Sequence, residues 1–170
     1  MAWKLIALGV LIAASITVNF IGDFSVKWII GDQLYTDMGH NYTYRWNSGI
    51  FPYSRNDPLW IATSGWMIVF AFGFLMAALL IYVVIAWKYY KIGYSLKLRP
   101  LFTALMFCAA ISALLTVICL ILVEANASSY SNKDMFDCTV GISFYITVIG
   151  CVLTIAIFSA TGFIRNWYCN

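Results

Sequence analysis

Residues 23–59 read DFSVKWIIGDQLYTDMGHNYTYRWNSGIFPYSRNDPL, and they form the one long polar run in a chain of 170 residues. Trp28 and Trp46 lie inside this run, Trp60 follows directly after it, and His40 is the only histidine of the chain. Apolar stretches flank the run on both sides, so it must leave the bilayer and fold outside it. We therefore expect any recognition surface of the protein to lie in this segment.

The composition excludes an ordinary soluble domain. Hydrophobic residues make up 63% of the chain and charged residues 10%, against about a quarter charged in soluble domains. Four apolar runs are long enough for a helix to cross a bilayer, which takes about 20 residues. They are Leu5–Gly22, Trp60–Trp87, Leu101–Val123 and Thr139–Ile164. The prediction is an all-α membrane protein, a bundle of four transmembrane helices forming one domain over residues 1–170. Its predicted loops are 23–59 and 124–138 outside the cell and 88–100 in the cytoplasm.

The basic residues predict the orientation. Six Lys and Arg residues and no acid lie at the termini and in the 88–100 loop, whereas acids outnumber bases in the other two loops. Cytoplasmic loops collect Lys and Arg, so both termini are predicted to be cytoplasmic, in an integral protein of the plasma membrane. Two sequons, at Asn41 and Asn126, fall in the predicted outer loops and are candidate glycosylation sites. Cys169, close behind the fourth run, is a candidate palmitoylation site.

Short strands are predicted inside the 23–59 loop. Residues 26–30 are rich in β-formers and are followed by Gly31-Asp32, a predicted turn. Residues 42–46 alternate in character and precede a second turn at Asn47-Ser48-Gly49, and residues 50–53 form a shorter third candidate. The prediction is a small antiparallel sheet that covers the outer end of the bundle.

The side chains available for chemistry argue against an enzyme. One histidine cannot supply a pair of haem ligands, and the four apolar runs contain no Asp, Glu, Lys, Arg or His for coupled transport. We expect no cofactor, no metal site and no nucleic-acid partner. A pore between subunits stays open as an alternative, with the loop acids available to line a cation path. These acids are Asp23, Asp32, Asp37 and Asp57.

The tryptophans carry a family resemblance. Trp28 and Trp46 are separated by 17 residues, and Arg45-Trp46-Asn47-Ser48-Gly49-Ile50-Phe51 surrounds the second. This spacing, with four spans and a long first loop, resembles the claudin and peripheral-myelin-protein superfamily, which includes the calcium-channel γ subunits. The resemblance implies that Trp28 and Trp46 anchor an extracellular sheet on the helix ends. The chain departs from the family at Gly49 and at Pro58–Trp60, where the two loop cysteines would stand. Its C-terminus also lacks the tail that claudins offer to scaffold proteins.

Without the disulfide and the tail, the sequence favours an accessory or structural subunit of a channel, receptor or other large membrane complex. Its partner is expected to be a larger integral membrane protein or further copies of the chain, within the lipid bilayer. The alternatives are a claudin-like protein of cell–cell contacts or barriers, and an oligomeric pore. The residues expected to bind the partner or to build the loop are Trp28, Trp46, Phe51, Trp60, Asp32 and Asp37.

Overall fold

The computed structural model describes residues 2–37, 40–50, 58–93, 95–127 and 136–168. Within these ranges it describes the side chains of all residues except 2, 33–37, 40–42, 46, 136–137 and 168. The predicted loop residue Phe51, the acid Asp57 and the candidate palmitoylation site Cys169 lie outside the described residues.

Four long helices and three strands make up the described chain. The helices are α1 (Ala2–Asp23), α2 (Leu59–Ile92), α3 (Arg99–Ala127) and α4 (Ile142–Tyr168), with a short 3-10 turn at Leu96–Leu98 before α3. The strands are β1 (Ile29–Asp37), β2 (His40–Ser48) and β3 (Phe136–Val140). Each helix is long and apolar enough to cross a membrane. The prediction of a four-helix membrane bundle with a small sheet is confirmed.

Two kinds of apolar surface show why these helices belong in a bilayer. Inside, Leu8, Leu75, Phe102 and Ile157 are buried together from all four helices. Outside, large side chains such as Leu80 remain exposed along the helices. A helix that is apolar on every side has no face to turn to water, so its outer face must meet lipid. The structure therefore agrees with an integral membrane protein.

The helices and the predicted apolar runs do not share all their boundaries. The fourth run was predicted from Thr139, but residues 136–140 form β3 and α4 begins at Ile142, because these residues pair with β1. Helix α2 continues to Ile92, inside the predicted 88–100 loop, and ends at Gly93, whose φ of 68° suits glycine. At 34 residues α2 is about 51 Å long, well beyond the hydrocarbon core of roughly 30 Å. Helix α3 likewise runs to Ala127.

The sheet has the order β2-β1-β3 and is antiparallel throughout. Gly31 pairs with Trp46 on one side and with Cys138 on the other, so the predicted turn at Gly31-Asp32 is wrong and the strand continues to Asp37. The third strand comes from the second loop, and not from the candidate at residues 50–53, of which Ile50 alone is described. The sheet thus joins both loops at one end of the bundle, called here the sheet end. The opposite end, which carries both termini, is called the terminal end.

Candidate interaction surface: the sheet and its junction with the bundle

Trp28 is the residue that ties the sheet to the helices. Its side chain is fully buried, and its indole Nε1 donates a hydrogen bond to the carbonyl oxygen of Gly22, near the end of α1, at 2.8 Å. Its backbone N–H donates to the carbonyl of Ser48, the last residue of β2, at 3.1 Å. Its own carbonyl accepts from the N–H of Gly141, just before α4, at 2.7 Å. One residue thus connects α1, β2 and α4.

A close backbone approach completes this connection. The carbonyl oxygen of Lys27 accepts a hydrogen bond from the N–H of Ser143 at 3.2 Å. At Gly141, an added Cβ would collide with that same carbonyl oxygen. Only glycine lets the two segments come this close, because every other residue carries a Cβ.

Beneath the sheet lies an apolar group that we call the junction cluster. Its buried members are Trp28, Ile29, Ile50, Ile61, Ile68, Cys119, Val123 and Cys138, contributed by the sheet region, α2 and α3. Phe144 of α4 packs against the cluster, and its ring meets the Trp28 ring edge-on at 6.3 Å between centroids. Burying this surface holds the sheet on the bundle by the hydrophobic effect.

Polar side chains fasten α1 to α4 directly below the junction. Asp23, the last residue of α1, is buried, and its Oδ1 accepts a hydrogen bond from the Thr147 hydroxyl at 3.1 Å. Two turns deeper, the Ser15 and Thr154 hydroxyls lie 2.9 Å apart, and Asn19 Nδ2 donates to the Thr154 hydroxyl at 3.4 Å. These bonds fix how the two helices face one another, and so fix the loop that leaves α1.

The outward part of the sheet is polar and exposed. Thr43, Arg45 and Asn47 of β2 are exposed, and Tyr44 retains 62% of its accessible surface. Arg45 Nε and Nη2 donate to the two carboxylate oxygens of Asp32 on β1, at 2.8 and 3.1 Å. The hydrogen bonds from Arg45 lower the pKa of Asp32, so the carboxylate stays charged in its exposed position. The sheet is thus held on the bundle and presents the exposed strand β2 on the side away from the bundle.

A comparison with protein families bears on this architecture. A family model described as tight junction protein, claudin-like, matches residues 1–170. The chain belongs to this claudin-like family. The search of curated proteins found no match. The predicted resemblance to the claudin superfamily is therefore confirmed, and the family is one of structural junction proteins without enzymatic activity.

In the claudin-like chain, the predicted site residues fall into two groups. Trp28 is buried in the junction cluster and Trp60 is half-buried against it, so these two residues support the sheet from below. Asp32 lies on the exposed part and binds Arg45. Trp46 and Asp37 are placed by their backbones on β2 and β1; their side chains lie outside the described part.

The two sequons occupy different settings. Asn41 lies on β2, paired with Thr36, next to the end of the hairpin. Asn126 lies in the last turn of α3, where its Nδ2, the atom to which a glycan is joined, donates to the Leu122 carbonyl at 2.7 Å. Asn41 thus lies on the sheet and Asn126 within a helix, and glycosylation of either residue stays a prediction.

Sequence reasoning missed three parts of the site. Ile50 and Cys138 belong to the junction cluster, and Gly141 makes the closest backbone approach. Alternation over residues 136–140 was the available signal for β3. Among the residues that the structure describes, no three His, Cys, Asp or Glu side chains are placed to hold a metal ion.

Proposed function

We propose that this claudin-like protein acts in cell–cell contact or barrier formation, with its sheet outside the cell meeting the sheet of a second copy. One observation carries the proposal: a sheet built from both loops is held on the bundle by the hydrogen bonds of Trp28 and by the junction cluster, and it presents β2 outward. Family membership supports the same function. A contact protein must hold its binding surface in a fixed position, because ordering a loose loop on binding costs free energy.

The sequence lacks the two loop cysteines of the family, which argues against a contact function. The structure weakens that argument, because other contacts hold the sheet in place. The backbone bonds of Trp28, the Gly141–Lys27 approach and the junction cluster together hold the sheet on the bundle without a disulfide between the two cysteine positions of the family. A buried apolar cluster with complete backbone hydrogen bonding provides an alternative means of holding a sheet in place. The sequence favours the accessory role because that disulfide and the claudin C-terminal tail are both absent.

Strand β2 offers a simple way to bind a second copy of the chain, which is pairing through its backbone. Among the strands that the structure describes, β2 lies at the edge of the sheet, and nine residues of it are paired on the β1 side. An edge strand presents backbone donors and acceptors that pair with another strand. Tyr44 and Arg45 add an aromatic ring and a charge beside that edge, residue types enriched at protein interfaces.

A mixed culture tests the proposal. Cells that lack the protein are transfected with a fluorescent fusion and grown beside untransfected cells. We expect enrichment at borders between two expressing cells and none at borders with one expressing cell. Tyr44→Glu should reduce the enrichment, whereas Val26→Glu, equally exposed but outside the strands, should not. Even distribution of the wild type over all borders would contradict the proposal.

An accessory subunit is the second candidate, favoured by an aromatic surface on α2. Trp66 and Phe70 are both exposed on the helix, one turn apart, with ring centroids separated by 5.9 Å. Such rings suit contact with a helix of a larger membrane protein, because aromatic residues dominate interface energetics. Co-purification of one heterologous membrane protein at fixed stoichiometry, lost in Phe70→Ala, would favour this candidate.

An oligomeric pore has less support. Of the four acids proposed to line a cation path, Asp32 is bound to Arg45 and Asp23 is buried against Thr147. Asp32 is thus paired with a base, and Asp23 does not reach the protein surface. Asp57 and the Asp37 side chain lie outside the described part of the chain.

A further inference from the structure

A groove between α3 and α4 lies at the terminal end of the bundle, away from the sheet. It has a volume of about 350 Å³ and is lined by Thr103, Met106, Phe107, Ala110, Phe158 and Arg165. Apart from Thr103 and Arg165 the lining is apolar, as suits a hydrocarbon chain.

Arg165 is the one charged residue of this lining. Its Nε is shielded by the protein and donates to no acceptor among the described residues. Thr103 does not serve as that acceptor; its hydroxyl donates a hydrogen bond to the Arg99 carbonyl at 2.9 Å. A shielded N–H without an acceptor is costly. A guanidinium presents five donors in a fork that matches a phosphate or carboxylate group.

We propose that this groove binds one anionic phospholipid from the leaflet at the terminal end. An acyl chain lies along Met106, Phe107 and Phe158, and the headgroup phosphate accepts hydrogen bonds from Arg165. Charge complementarity selects this occupant, since the terminal end carries six basic and no acidic residues. By the positive-inside rule this is the cytoplasmic leaflet, which is rich in anionic lipid. The site is independent of the sheet and of the contact function.

Native mass spectrometry of the full-length protein in mild detergent tests the site. The probes are phosphatidylserine and phosphatidylcholine with identical acyl chains. We expect the wild type to retain phosphatidylserine more strongly. Arg165→Gln should weaken that retention by about tenfold, the size of effect expected for losing a hydrogen bond between charged groups. The matched control is Lys97→Gln, which removes an equal charge from an exposed residue at the same end, and it should behave as the wild type.

A second variant distinguishes binding in the groove from binding that depends only on the net charge of the protein. Ala110→Leu fills the groove and keeps Arg165, so it should weaken retention of both lipids and serves as the deciding variant if Arg165→Gln does not fold. Correct folding of each variant is checked by gel filtration. Unchanged retention in Arg165→Gln and Ala110→Leu would overturn the proposal. Equal loss in Lys97→Gln and Arg165→Gln would also overturn it, because the binding would then follow net charge.

Discussion

At the residue scale, Trp28 has two separable roles, since its indole fills the junction cluster and its Nε1 bonds the Gly22 carbonyl. Trp28→Ala should lower the free energy of unfolding by about 3–5 kcal/mol, the usual cost of truncating a buried aromatic. Trp28→Phe keeps most of the volume and should cost only about 1–2 kcal/mol, chiefly for the lost hydrogen bond. Denaturation in detergent measures both, with exposed Val26→Ala as the control. Equal stability of wild type and Trp28→Ala would refute the anchoring role.

Gly141 and Gly73 give a matched test of whether the close backbone approach at Gly141 is required for folding. Gly141→Ala places a methyl group against the Lys27 carbonyl, so we expect misfolding and loss of surface delivery. Gly73→Ala meets nothing within 4 Å, and alanine is favoured over glycine within a helix by about 0.5–1 kcal/mol. The surface fraction of each variant, measured by biotinylation, should fall for Gly141→Ala alone. Normal delivery of both variants would show that the approach is not required.

At the element scale, α1 and α4 are joined by buried hydroxyl and amide groups. A double-mutant cycle with Ser15→Ala and Thr154→Ala should give a coupling of about 0.6 kcal/mol, typical for hydrogen bonds between membrane helices. The control pair is Ser15→Ala with Ser159→Ala, because the Ser159 hydroxyl is exposed and bonds within its own helix to Ile155. Detergent unfolding measures the couplings. Additive behaviour of Ser15 and Thr154 would mean that their 2.9 Å contact contributes nothing.

The hairpin of β1 and β2 should show a pH dependence through Asp32. Arg45 lowers the pKa of Asp32 in the folded protein, below the value of about 3.9 for a free Asp. The pair therefore stabilises the fold above the unfolded pKa, and this stabilisation is lost as the pH falls through the lower folded pKa. The Tm of Asp32→Ala should lie slightly below wild type at pH 7 and equal it at strongly acidic pH. The same small difference at both pH values would contradict this.

The elements were predictable from the sequence to different degrees. The four helices were predictable from the four apolar runs, because a segment that crosses a bilayer can be recognised from its length and composition alone. The alternating residues 42–46 lie within β2, but Gly31 did not end β1, since pairing on both sides outweighs the weak strand preference of glycine. β3 was missed because Thr139 and Val140 were counted with the apolar run that follows them, although residues 136–140 alternate between apolar and polar.

At the scale of the whole molecule, the site combines predictable residues with ones that only the fold brings together. Trp28 was recognisable from its spacing to Trp46. The contact between Gly141 and Lys27 was not, because residues more than a hundred positions apart meet only after the helices pack. The same holds for Asp23, which the sequence suggested as a pore acid and which lies buried against Thr147.

Proteoliposomes provide the most direct test of contact between copies, because they contain no other protein. Purified wild-type protein is reconstituted into vesicles of neutral lipid, and vesicle size is followed by dynamic light scattering. The account predicts that vesicles carrying the wild type or Gly73→Ala cluster, while those carrying Tyr44→Glu remain dispersed. Wild-type vesicles that stay dispersed, like vesicles without protein, would contradict the claim that the sheet meets its own copy.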